Sequence, residues 1–133
     1  MIKGRLFFLL LSFFVSTFAM VAQEELPKEM VSAFKKGEAE SLKPYLADKV
    51  QFIVEGKENE PLIQKEAIVY LKQFFEQNRP SEFSVLHKSI RQNTGFFIAR
   101  LTAAERKLRL YCLFTATGDQ LKINRMRIDK FIE

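Results

Sequence analysis

The apolar residues of this chain change their spacing at Pro80, and that change limits the folds open to it. Before Pro80 two segments carry apolar residues at helical spacing; after it four segments alternate apolar with polar. The four are "EFSVLHKSI", "GFFIARLTA", "KLRLYCLFTA" and "QLKINRMRI". Short polar connections, "NTG", "AER" and "TGDQ", separate them at hairpin length, with Gly95 and Gly118 placed to supply positive φ. Four hairpin-linked strands predict an antiparallel meander. Helices first and sheet later predict an α+β domain with the helices on one face of the sheet.

The segments before Pro80 fill in the other layer. "LPKEMVSAFKKG" predicts a helix with Pro27 in its first turn and Leu26, Met30, Val31 and Phe34 on one side. Lys35 and Lys36 suit its C-terminal end and Gly37 its cap. "EAESLKPYLADK" predicts a short second helix interrupted by Pro44, with Leu42, Tyr45 and Leu46 packed inward. "VQFIVE" predicts a strand with Val50, Phe52 and Val54 on one face, followed by the polar turn "GKENEP". "LIQKEAIVYLKQFFEQN" predicts a third helix. Ile68, Leu71 and Phe75 form its stripe, Ala67 and Phe74 flank it, and it stops near Asn78 because Pro80 disfavours helical geometry at Arg79.

Residues 1–22 have the order of an export signal. Lys3 and Arg5 precede the apolar run "LFFLLLSFFVSTF", and small residues follow in "TFAMVAQ". The run is about 13 residues, short of the ~20 that span a bilayer. Cleavage after Ala19 or after Ala22 leaves a single domain, 23–133, placed in the periplasm or outside the cell, with no transmembrane segment. Its charge is uneven: residues 23–86 hold 9 Lys/Arg and 12 Asp/Glu, whereas residues 87–133 hold 10 and 4. In an exported protein the basic half points to anionic lipid, polymer or protein partners rather than to nucleic acid. Cys112 is the one cysteine, so no intramolecular disulfide forms; on the apolar face of its strand it reads as a small buried hydrophobe.

The order of elements resembles the nuclear transport factor 2-like (cystatin-like α+β) superfamily, a cone-like fold with a curved sheet. More narrowly, "LPKEMVSAFKKGEAESLKPYLADKV", "FFEQNRPSEFSVLHK" and "KLRLYCLF…LKINRMRID" are similar to a Bacteroidetes family of small exported proteins of unknown function. The resemblance covers residues 25–130. It implies helices over the concave side, often with a pocket there, and an opposite face that often forms a dimer interface. It carries over no catalytic residues.

Chemistry is sparse. After residue 86 the acids are Glu105, Asp119, Asp129 and Glu133, in turns or at the chain end, so no carboxylate base sits mid-strand on an inward face. Glu66 and Glu76 fall off the helical stripe. His87 is the sole histidine and alternates with Phe83 and Val85, which predicts that it faces inward. With Tyr70 it forms the one catalytic pair the sequence offers, for an isomerase, dehydratase or hydrolase-like enzyme. One His and one distant Cys do not make a zinc site, and Glu55, Glu58 and Glu60 lack calcium-loop spacing. No metal and no cofactor are expected.

The sheet has two faces to assign. Leu108, Leu110, Cys112 and Phe114 are expected to face the helices, where with Phe52, Phe74 and Phe75 they line a pocket for a small apolar ligand. Lys107, Arg109, Tyr111 and Leu113 are expected to face out, joined by Phe96, Ile98 and Arg100. Arg125 and Arg127 join them subject to their phase. Leu121 and Ile123 alternate out of step with Met126 and Ile128, and a bulge near Asn124 would account for that. Three uses of the outer face stay open: a solvated basic surface, a homodimer interface, or a docking site for an anionic envelope partner. The leading functional reading is a non-enzymatic, exported domain that binds an apolar ligand or a protein partner.

Overall fold

The computed structural model describes residues 25–117 and 120–132. The export segment 1–22 and Gly118 therefore lie outside the described residues. The elements are α1 (Lys28–Lys36), a 3-10 helix (Glu40–Tyr45), β1 (Leu46–Val54), β2 (Lys57–Glu58), β3 (Leu62–Ile63), α2 (Gln64–Gln77), β4 (Pro80–Ile90), β5 (Thr94–Ala103), β6 (Arg106–Thr117) and β7 (Gln120–Lys130). The sheet order is β2-β1-β7-β6-β5-β4, with β3 on β1. β4 to β7 form the antiparallel meander, and β1 lies parallel to β7. The result is α+β: helices on a curved, unclosed, mostly antiparallel sheet.

Helix α1 ends as its residues dictate. Gly37 takes φ 68°, the Gly37 N–H donates to the Phe34 carbonyl and the Glu38 N–H to the Ala33 carbonyl. These two bonds satisfy carbonyls that the last turn would leave unpaired. Met30, Ala33 and Phe34 are buried. Pro44 restricts the next segment to a 3-10 helix, and Leu46 is already extended. Strand β1 therefore begins four residues before the expected "VQFIVE", because Leu46 pairs with Ile123 of β7 and buries its side chain there.

The third helix also starts later than expected. Leu62 and Ile63 pair with Val50 and Lys49 of β1, so the sheet claims them and α2 begins at Gln64. The Gln64 side-chain amide donates to the carbonyls of Lys43 (3.2 Å) and Leu46 (3.1 Å), tying the start of α2 to the end of the 3-10 helix. At its other end Asn78 caps α2. Its backbone N–H and side-chain amide both donate to Phe74 O, and its Oδ1 accepts from Arg106.

Gly95 departs from expectation. It does not take positive φ; it sits buried in β5, where an added Cβ would come within 2.9 Å of the Ser89 carbonyl oxygen. Its role is close approach between strands. Positive φ falls instead on Glu55 and Gly56 in the β1–β2 turn and on Ala104 in the β5–β6 turn.

Candidate functional site

The alternation of β6 is realised in full. Leu108, Leu110, Cys112 and Phe114 are buried under the helices; Lys107 and Arg109 are exposed and Tyr111 and Leu113 half-buried on the outer face. Burial pushes the Cys112 thiol well above its ordinary pKa, so it is no nucleophile. The phase change in β7 is a bulge: Leu113 pairs with Arg125 and Phe114 with Ile123, leaving Asn124 as the extra residue. Ile123, Met126 and Ile128 are thereby all buried, and Arg125 and Arg127 join the outer face.

A second bulge moves His87. Val85 pairs with Ala99 and His87 with Ile98, so Leu86 is unpaired between them. His87 therefore takes the outer phase of Ile98, is exposed, and turns its ring toward Phe96 at 6.3 Å. This corrects the inward placement. Tyr70 lies elsewhere, half-buried on α2 with its ring 4.4 Å from Phe52. Burial raises its phenol pKa, and a hydrogen bond with the Asn59 side chain acts the other way. The two residues line separate depressions and form no catalytic pair.

The expected pocket residues divide. Phe52, Phe75, Leu110 and Cys112 are closely packed core and Phe74 borders the Tyr70 depression; Phe114 alone reaches a large cavity. That cavity, about 650 Å³, opens at one end of the sheet. Leu26, Pro27 and Met30 form one wall, Pro44 and Tyr45 a second, and Ile90, Phe114 and Leu121 the strand-end floor. Lys122 Nζ donates to the Pro44 carbonyl and holds the 3-10 helix against β7 at its side. Glu25 and Gln120 are the polar groups at its edge. Sequence reading missed this cavity because five separate segments build it.

The outer face has an aromatic and aliphatic middle. Phe96 and Tyr111 stack at 5.6 Å and 17°, beside Ile98 and Leu113. Around them charges pair locally: Arg125 reaches Gln51 Oε1 (3.1 Å) and Glu58 (3.8 Å), and Arg127 Nε donates to Asp129 (2.8 Å). Arg100 sits opposite Arg109 in the register, its guanidinium 5.9 Å from the Phe131 ring centroid. Among the described residues no three His, Cys, Asp or Glu side chains gather as a metal site, and no helix is long and apolar enough to cross a membrane.

This architecture is that of the nuclear transport factor 2-like class. A protein of that likeness from Silicibacter pomeroyi superposes with a TM-score of 0.58 at 11% identity, over 87% of this chain and 98% of its own, which shows the fold. The family model described as "Domain of unknown function (DUF4783)" matches residues 27–129, and the chain belongs to that family. Crystal structures of DUF4783 proteins agree. One from Bacteroides ovatus is 30% identical, with a TM-score of 0.77 over 83% of this chain and 99% of that one. One from Bacteroides fragilis is 34% identical, with a TM-score of 0.75 over 80% and 100%. No curated protein matches the chain.

Proposed function

We propose that this chain is an exported, non-catalytic binding domain that takes a small apolar or amphipathic molecule into the cavity between α1, the 3-10 helix and the strand ends. The cavity itself carries the proposal. Its volume of about 650 Å³ lies within the roughly 300–1,000 Å³ of small-molecule sites. Its walls are Leu26, Met30, Tyr45, Phe114 and Leu121, with Glu25 and Gln120 at the edge. An apolar body buried there would lose its contact with water, and a polar head would find Glu25 or Gln120. Removal of residues 1–22 and passage to the periplasm or beyond complete the reading, since the leader has the n-region, apolar run and small-residue order of a signal peptide.

The test is a native mass spectrum of the protein recovered from cells that express the full chain. The expected spectrum shows a chain shortened by 19 or 22 residues, carrying the added mass of one apolar molecule. Leu121→Lys places a charge in the cavity and is expected to remove that mass while circular dichroism stays unchanged. A bare protein that also fails to take up a fluorescent fatty acid overturns ligand binding. An uncleaved chain overturns export by a cleaved signal.

A further inference from the structure

Arg100 and Arg109 stand directly opposite each other on neighbouring central strands. Like charges at such a pair destabilise a sheet. The register supplies a remedy, because Asp129 of β7 stands opposite Arg109 on its other side. That carboxylate instead accepts from Arg127 Nε at 2.8 Å. Among the described residues neither Arg100 nor Arg109 has a carboxylate partner; Arg100 has only the Phe131 ring. Two guanidinium groups therefore lie on the outer face of adjacent strands, neither in an ion pair with a carboxylate, next to the stacked Phe96–Tyr111 rings.

We propose that this outer face docks an acidic segment of a partner protein, with carboxylates seated between Arg100 and Arg109 and apolar side chains on Phe96 and Tyr111. Charge and shape chemistry together select this occupant. A guanidinium fork matches a carboxylate bidentately, and arginine with aromatic residues is the composition of an interface centre. Residues two apart in an extended peptide share a face, so a carboxylate at one position and an apolar side chain two or four residues on meet the arginines and the rings together. A lipid headgroup layer supplies anions but no apolar group at their level to cover the two rings. A second copy of this chain would bring the same uncompensated arginines to the same interface, because a two-fold contact pairs a patch with itself. This site is separate from the cavity and does not rest on it.

The probe is a labelled peptide whose every second residue is by turns glutamate and tyrosine, with serine between them, read by fluorescence anisotropy against the same peptide with glutamine for glutamate. The protein is the chain as cells produce it. The acidic peptide is expected to bind, to weaken with added salt, and to bind Arg109→Glu about tenfold less tightly or worse. Lys57→Gln on β2 serves as a control and is expected to leave binding intact. A second readout needs no ligand. Arg100→Glu, with neutral Ser84 on its other side, turns the pair with Arg109 from repulsive to attractive, so the free protein is expected to melt at a higher temperature while its binding falls. The proposal is overturned by equal binding of the two peptides or equal binding to Arg109→Glu. It is also overturned by capture on phosphatidylglycerol vesicles alone, or by a dimer that Arg109→Glu dissociates and that never takes the peptide.

Discussion

Phe34 lies flat against Phe83, their ring centroids 5.2 Å apart and their planes 12° from parallel. One ring belongs to α1 and the other to the edge strand β4. Phe97 meets both edge-on, at 5.8 Å and 6.4 Å. The cluster fastens the first helix to the far edge of the sheet. Phe34→Ala is expected to cost about 3–5 kcal/mol of stability, the range for a large buried aromatic. Urea unfolding measures it; a loss below about 1 kcal/mol would mean that this cluster does not hold α1.

The two positive-φ glycines should respond differently to alanine. Gly56 takes φ 82° with nothing within 4 Å of an added Cβ, so Gly56→Ala meets backbone strain alone, about 1–2 kcal/mol. At Gly37, φ is 68° and the new Cβ would fall 2.8 Å from Pro80 Cδ. Gly37→Ala adds a clash with a rigid ring to the same strain, and its urea midpoint is expected to fall further. Equal midpoints would remove Gly37–Pro80 contact from the account of how α1 meets β4.

Stability should decline in alkali faster than surface charge alone would make it. Burial holds the Cys112 thiol protonated in the folded state, well above its ordinary pKa. The unfolded chain releases that proton from about pH 8.5 upward. Above that point the unfolded state binds fewer protons, so stability falls as pH rises toward the folded pKa; below the unfolded value the contribution is whole. Tyr70, also raised by burial, adds the same sign near pH 10. Melting temperatures between about pH 7 and pH 9.5 should fall less steeply in Cys112→Ala than in the parent. Parallel slopes would contradict the assignment.

His87→Ala is expected to change stability by less than about 0.5 kcal/mol, as for an exposed residue away from caps and buried networks. Thermal unfolding checks this. A loss of more than about 2 kcal/mol would return His87 to the interior.

That residue also shows where sequence reading ends. The β6 faces were legible because every second residue from Leu108 to Phe114 is apolar or small, while Lys107 and Arg109 hold the alternate positions at its start. The β7 bulge was legible because Ile123 and Met126 are three apart where a strand needs two. At β4 the extra residue is Leu86, apolar and flanked by apolar Val85, so nothing in the pattern marks a slip. Its 45% exposure is a tertiary fact. The part of β1 before Val50 hid in the same way. Leu46 to Lys49 carry no β-branched residue, and it is the pairing of Leu46 with β7 and of Lys49 with β3 that draws them into the sheet. The cavity had no local signature at all, since Leu26, Tyr45, Ile90 and Leu121 are brought together by packing.

The parallel pairing of β1 with β7 sets an order of events. β1 ends at Val54, and the strand that seats it runs from Gln120 to Lys130, after every other strand of the sheet. A ribosome or a channel that releases this polypeptide from its first residue delivers β1 and the 3-10 helix long before β7 exists to seat them. Contacts of such separation close slowly. Phe34 can meet Phe83 and Phe97 as soon as β4 and β5 emerge, but Phe52 must wait for Met126 until β7 follows. A chaperone that guards β1 during that interval has more to protect here than in a fold whose first strands are complete on both sides without the last.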